Sequence, residues 1–94
     1  MYNYYFLIGK IIKIEDFKSV GILEVTISVQ RPFKEMDGSF KSDEFKVTFF
    51  AGFADFIKDY LKQGAFVGIK GRLAMIKGTL TIIGERIVDM SQKD

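Results

Sequence analysis

Aromatic and basic side chains lie close together in three segments of this sequence. The groups are Arg31 with Phe33 and Lys34, Phe45 with Lys46, and Lys70 with Arg72 and Lys77. An aromatic ring can stack on a nucleobase and a cation can contact a phosphate, and extended segments that carry both are typical of proteins that bind single-stranded nucleic acids. Phe33 is the strongest stacking candidate, because it follows Pro32 and lies between charged neighbours.

Most of the other phenylalanines are better explained as core residues. The chain contains ten of them, and a large apolar side chain in a strand or helix is usually buried. We therefore assign the following residues to the core: Phe49, Phe50, Phe53, Phe56 and Phe66.

The residue types needed for most catalysis are missing. The chain has no cysteine and no histidine, which removes thiol nucleophiles, disulfides, the usual base at neutral pH and the commonest metal ligands. The acidic pairs Glu15-Asp16 and Asp43-Glu44 are sequence neighbours, whose side chains point to opposite faces of a strand. The sequence therefore predicts a protein that is not an enzyme and that has no metal site and no cofactor.

Length and charge limit the type of protein further. Ninety-four residues suit a single domain, which we place at residues 1–94, and the net charge of +2 is too small to identify a partner by itself. The amino terminus lacks the basic start of a signal peptide, and no apolar run approaches the ~20 residues of a membrane span. We expect a cytoplasmic protein without membrane association.

Alternating apolar residues predict five strands. In residues 4–14, apolar side chains recur at every second position except near Gly9 and Lys10, which indicates a strand with a bulge. The apolar face of this strand would carry Tyr4, Phe6, Ile8, Ile12 and Ile14. Strands two to five are expected at residues 23–30, ended by Pro32, then at 45–50, 66–76 and 79–88, with a stubby hairpin turning at Lys77-Gly78.

One segment has a helical period instead. Phe53, Phe56, Ile57, Tyr60 and Leu61 form the apolar stripe of an amphipathic helix over residues 53–63, and Gly64 would take the left-handed position that ends it. Five strands with one helix between the third and fourth is the element order of the OB-fold, a small, partly open barrel. The sequence therefore predicts an all-β OB-fold.

Several short segments also resemble one known family. They are Phe6-Leu7-Ile8-Gly9-Lys10, Arg31-Pro32-Phe33-Lys34, Asp37-Gly38, residues 45–52, Tyr60-Leu61-Lys62-Gln63-Gly64 and Gly71-Arg72-Leu73. In this order and spacing, they resemble the bacterial single-stranded DNA-binding protein family over most of the chain.

The resemblance implies a homo-oligomer, tetramer or dimer, that wraps single-stranded DNA in replication, recombination and repair. Phe33 and Phe45 match stacking aromatic positions of the family, and Lys10 and Arg72 match basic positions. The predicted nucleic-acid-binding set combines these with the remaining basic candidates: Lys10, Arg31, Phe33, Lys34, Phe45, Arg72 and Lys77.

The sequence departs from the family pattern at three places. Ala51 replaces a further family aromatic, and the long hairpin between strands four and five is reduced to the turn from Met75 to Leu80. The family usually continues into a flexible tail with an acidic tip, which has no counterpart in this chain, so it resembles a shortened form. We expect less DNA per subunit and no partner recruitment through such a tail.

Two other functions fit parts of the pattern. One is a dimeric OB-fold accessory subunit of a replication-restart, or primosomal, complex that acts mainly through protein contacts. In that case Phe45, Val47 and Phe49 would form an outward subunit interface. The other is an RNA-binding module of the cold-shock type, which is disfavoured because the polar face of strand two carries no aromatic residue.

Overall fold

A computed structural model describes residues 2–50 and 61–90 of the chain. These residues form five strands and one short 3-10 turn: β1 Tyr5–Phe17, the turn Lys18–Val20, β2 Ile22–Lys34, β3 Phe40–Phe50, β4 Phe66–Ile76 and β5 Thr79–Asp89. The strands close into a barrel in the order β1-β2-β3-β5-β4, with β4 pairing back to β1. The β3–β5 pair is parallel and the others are antiparallel. The all-β OB-fold barrel predicted from the sequence is confirmed.

The predicted helix falls mostly on residues 51–60, which lie outside the described part of the chain. Its expected end is described: Leu61 is buried, and Gly64 has the predicted positive φ of 93°. The backbone of this segment joins β1, because Gly64 donates to the carbonyl of Ile11 and Ile11 donates to that of Ala65, at 2.7 and 2.9 Å. No helix in residues 2–50 and 61–90 has the length and apolar character needed to cross a membrane.

The bulge in β1 is confirmed, but the part of the strand before it faces the other way from the prediction, whereas Ile14, after it, packs against the core as predicted. The register between β1 and β2 shifts between Ile11 and Lys13, and Ile11 is completely buried. Phe6 and Ile8, which were assigned to the apolar face, are instead 56% and 42% exposed. Gly9 decides the orientation, since a Cβ at this position would overlap the carbonyl oxygen of Ser28 and only glycine fits inward. Both faces of β1 are apolar, so alternation alone could not show which one is buried.

The core lies inside the barrel and contains buried residues from all five strands. The predicted alternation in β2 is confirmed, and the cross-strand register places Leu23 opposite Phe49 and Val25 opposite Val47. Both β3 residues are completely buried. The outward interface of Phe45, Val47 and Phe49 is therefore wrong, because that side of β3 faces the interior.

Two of the predicted core phenylalanines are on the surface. Phe50 and Phe66 are 42% and 43% exposed, whereas the core assignment of Phe49 is confirmed. Phe50 follows an inward residue and so points outward, and Phe66 pairs with the exposed Lys10. The predicted core positions Phe53 and Phe56 lie outside the described residues.

The β2–β3 hairpin is longer than predicted, whereas the strands of the β4–β5 hairpin have almost the predicted bounds. Pro32 does not end β2, which continues to Lys34 through an irregularity in its pairing with β3, and β3 begins at Phe40 rather than Phe45. The predicted turn at Lys77-Gly78 is confirmed, with φ values of 51° and 77°. The strand bounds beside it are also almost as predicted, but the description of the hairpin as stubby is wrong, because β4 and β5 have 11 residues each and pair as far as Ile76 and Thr79.

Candidate nucleic-acid interface

The β2–β3 hairpin ends in a loop with a defined conformation. Glu35 donates a backbone hydrogen bond to the carbonyl of Ser39 at 2.8 Å, and Gly38, at a φ of 87°, donates to that of Glu35 at 3.0 Å. The carboxylate of Asp37 accepts hydrogen bonds from the hydroxyl and the backbone N–H of Ser39, at 2.6 and 2.9 Å. The hydroxyl bond lowers the pKa of Asp37, so the loop is held by an ionised side chain at neutral pH.

The loop end of this hairpin presents two exposed phenylalanine rings. Phe33 is 56% exposed and Phe40 is 47% exposed. Phe40 pairs across the hairpin with Lys34, whose Nζ lies 5.8 Å from the ring centroid. Phe33 precedes Lys34 and lies in the segment where the pairing between β2 and β3 is irregular. The loop end of the hairpin therefore offers two rings for stacking.

Sequence reasoning missed Phe40. A signal for it was present, because Phe40 lies between Ser39 and Lys41 and close to the Asp37-Gly38 turn. The same argument, an aromatic residue with polar neighbours beside a turn, identified Phe33.

Arg31 is engaged by carboxylates. Its Nε and Nη2 atoms donate to the two carboxylate oxygens of Asp43, at 3.0 and 2.8 Å, and Nη1 lies 3.4 Å from Oε1 of Glu35. The hydrogen bond between Arg31 and Asp43 raises the pKa of the guanidinium and lowers that of the carboxyl. The structure therefore places this predicted phosphate contact inside a network of ion pairs.

A groove of about 390 Å³ lies between the outer faces of β2 and β3 and the β4–β5 hairpin. It is lined by Glu24, Glu44, Phe45, Lys46, Thr48, Thr79, Leu80, Thr81 and Ile82. Phe45 is half-buried and packs against the core, so it contributes less ring surface than Phe33. Lys46 lies 3.7 Å from a carboxylate oxygen of Glu24, so the groove is polar without a strong positive charge.

The remaining predicted residues are distributed over the barrel. Lys77 is exposed at the tip of the β4–β5 hairpin, two residues before the groove residue Thr79. Lys10 is exposed on β1, between Ser28 of β2 and Phe66 of β4. Arg72 lies on β4, where its Nε is 3.3 Å from a carboxylate oxygen of Glu85. Of the predicted set, only Phe45 lines the groove.

The outer side of β1, β4 and β5 carries a contiguous apolar surface, which we call the outer apolar patch. Its exposed members are Phe6, Ile8, Phe66, Val88 and Met90. The ring of Phe6 covers Gly68, since a Cβ on that glycine would lie 3.0 Å from the ring. Next to the patch, Nζ of Lys70 lies 5.3 Å from the ring centroid of Tyr4. The sequence pattern assigned Phe6 and Ile8 to the buried face of the first strand and therefore did not predict this surface.

The described part of the chain offers no metal site. No group of three or more acidic, histidine or cysteine residues lies close enough together in residues 2–50 and 61–90 to hold an ion.

Comparison with known proteins identifies the family. The model of the single-strand binding protein family matches residues 2–86. The chain belongs to this family. Among its relatives in the single-strand binding protein family are the single-stranded DNA-binding protein B of Bacillus subtilis strain 168, 29% identical over 77 residues, and the single-stranded DNA-binding protein 2 of Staphylococcus aureus strain COL, 31% identical over 77 residues. Each match covers 78% of this chain, but 68% of the first relative and only 55% of the second.

Solved structures of single-stranded DNA-binding proteins share the fold of this family member. The mitochondrial protein Rim1 of S. cerevisiae superposes with a TM-score of 0.71 at 20% identity, covering 99% of this chain and 100% of Rim1. A small single-stranded DNA binding protein from Mycoplasma pneumoniae superposes with a TM-score of 0.68 at 22% identity, with complete coverage of both chains. The likeness extends over the whole barrel.

Proposed function

We propose that this chain is a non-enzymatic, sequence-tolerant single-stranded DNA-binding module. The observation that carries the proposal is the β2–β3 hairpin, where Phe33 and Phe40 are exposed and Lys34 lies beside the second ring. Rings of this kind stack on any base, which explains binding without sequence preference. Membership of the single-strand binding protein family supports the same function.

The proposal assigns a role to every predicted residue except Arg31, which is treated separately below. Phe33 stacks on a base, and Phe45, which packs against the core, contributes only its exposed part to the lining of the groove. Lys10, Lys34 and Lys77 contact phosphates, which suits their exposure and the lack of an ion pair to any of them within residues 2–50 and 61–90. Arg72 is half-exposed and would exchange Glu85 for a phosphate when DNA binds. Cytoplasmic roles in replication, recombination and repair belong to the same proposal.

Direct binding measurements test this function. Fluorescence anisotropy of labelled oligo(dT), its duplex and a matching RNA should be recorded at two salt concentrations. We expect tight binding to oligo(dT), weaker binding to duplex, and a clear loss of affinity at higher salt, because phosphate contacts release counterions. Equal affinity for duplex, or no affinity for oligo(dT), would contradict the proposal and favour an accessory subunit that acts through protein contacts.

We further propose that the chain forms a homo-oligomer, dimer or tetramer, through the outer apolar patch. Single apolar side chains on a protein surface are ordinary, but this patch has five exposed apolar side chains on one face of the sheet. A contiguous apolar surface of this kind usually marks association. Light scattering should report a mass above the 10.7 kDa of one chain.

A charge at the centre of the patch tests its role. Phe6→Lys should lower the measured mass, because two copies would bring like charges together in an apolar contact. Val20→Lys, which changes an exposed residue in the β1–β2 connection, is the control. An unchanged mass for Phe6→Lys would assign the interface to another surface.

A further inference from the structure

The backbone that carries Phe33 is irregular. The ladder between β2 and β3 runs regularly to the pair Gln30–Ser42 and resumes at Lys34–Phe40. Between these pairs, β2 has three residues, Arg31, Pro32 and Phe33, whereas β3 has only Lys41. Pro32 also has no N–H to donate. The ladder therefore constrains Phe33 less than it constrains the rest of β2.

Arg31 bridges this irregular segment. On one side it bonds Asp43 through two nitrogen atoms, and Asp43 lies in the regular ladder opposite Val29. On the other side it contacts Glu35, whose backbone N–H is bonded to Ser39 at the base of the loop. The guanidinium thus connects the backbone before Phe33 with the backbone after it. A planar guanidinium fits such a bidentate contact, whereas the ammonium of lysine does not.

We propose that Arg31 is a positioning residue for single-stranded DNA binding, which holds the segment of Phe33 in place through Asp43 and Glu35 rather than contacting a phosphate itself. This inference rests on the proposed function. A ring that is held in its binding position loses less conformational freedom when a base stacks on it, so affinity is higher. Exposed ion pairs add little to overall stability, so the effect should appear in binding rather than in unfolding.

Asp43→Asn separates the two roles of Arg31 by the sign of its effect. If Arg31 contacts a phosphate, removing a competing carboxylate frees the guanidinium, and binding to a polyanion becomes tighter. The slope of log affinity against log salt, which is negative, would then become steeper by about 0.7, the value for one added phosphate contact on a single strand. If Arg31 positions Phe33, binding becomes about threefold to tenfold weaker with no change in slope.

A carboxylate on β1 provides a matched control. Asp16→Asn makes the same substitution and removes the same charge at an exposed position that does not line the groove, and Asp16 makes no ion pair in the described residues. It should bind oligo(dT) as tightly as the wild type or more tightly. Arg31→Lys keeps the positive charge but loses the bidentate geometry, so it should weaken binding about as much as Asp43→Asn.

A double-variant experiment connects the effect to the ring. In a Phe33→Ala background, Asp43→Asn should have almost no further effect, because the ring that it positions is gone. Tighter or unchanged binding by Asp43→Asn in the wild-type background, or an undiminished loss without Phe33, would overturn the positioning role. If the wild type itself fails to bind oligo(dT), the proposed function is refuted, and the role of Arg31 is refuted with it.

Discussion

The exposed ring of Phe33 can be removed without opening the core. Phe33 is 56% exposed and is not a member of the buried cluster, so Phe33→Ala should change the free energy of unfolding by no more than about 0.5 kcal/mol. A stacked base is worth ~1 to 3 kcal/mol. The affinity for oligo(dT) should therefore fall by about fivefold to 150-fold, since each 1.4 kcal/mol corresponds to about a factor of ten.

Two further variants make this measurement specific. Met36→Ala removes an apolar side chain that is completely exposed on the same hairpin but has no ring, and it should bind like the wild type. Phe33→Trp keeps an aromatic surface and introduces the only tryptophan of the chain. Its fluorescence should be quenched when oligo(dT) stacks on the indole, and its affinity should remain close to that of the wild type.

If Phe33 stacks on a base, Phe33→Ala must lose affinity and the indole of Phe33→Trp must be quenched. If Phe33→Ala binds as tightly as Met36→Ala, or if the indole of Phe33→Trp is not quenched at saturating oligo(dT), Phe33 does not stack. Phe40 would then be the remaining exposed ring at the loop end of the hairpin, and Phe40→Ala should be measured in the same assay.

Two predictions concern the barrel and its charges. Phe49→Ala should lower the free energy of unfolding by about 3 to 5 kcal/mol in denaturant titration, because the ring is completely buried and packs against Gly84, where no side chain can fill the space. Asp43 should titrate below its ordinary pKa of 3.8 in carbon-detected NMR, and Arg31→Leu should return it toward that value. Because the folded-state pKa is lowered, the contribution of this ion pair to stability should be present above the ordinary pKa and lost as the pH falls through the lowered one.

The strands of this protein could be predicted because their signals are local. Alternation of apolar and polar residues identified β2, and Lys77-Gly78 identified a two-residue hairpin turn, without any knowledge of neighbouring strands. Element order then indicated the OB-fold. The predicted end of β2 was wrong, because Pro32 was expected to stop the strand. The strand continues through Pro32, which lies where the pairing with β3 is irregular and fewer backbone hydrogen bonds are needed.

The candidate site was predicted only in part. Phe33 is exposed as expected, since its charged neighbours and the nearby turn are visible in the sequence. Phe45 packs against the core, and Arg31 is held by two carboxylates. Residue type alone cannot distinguish a cation that is free to meet a phosphate from one that already has a partner, because Asp43 lies 12 positions away.

The family, the barrel architecture and the segments that become strands could be predicted, because they depend on residue types and on periods along the chain. The buried face of β1 before its bulge and the core side of β3 became clear from the three-dimensional arrangement. It also showed that the outer apolar patch is continuous and that Arg31 spans the segment of Phe33. These features depend on the register between strands, and a register places distant residues together in a way that no local pattern records.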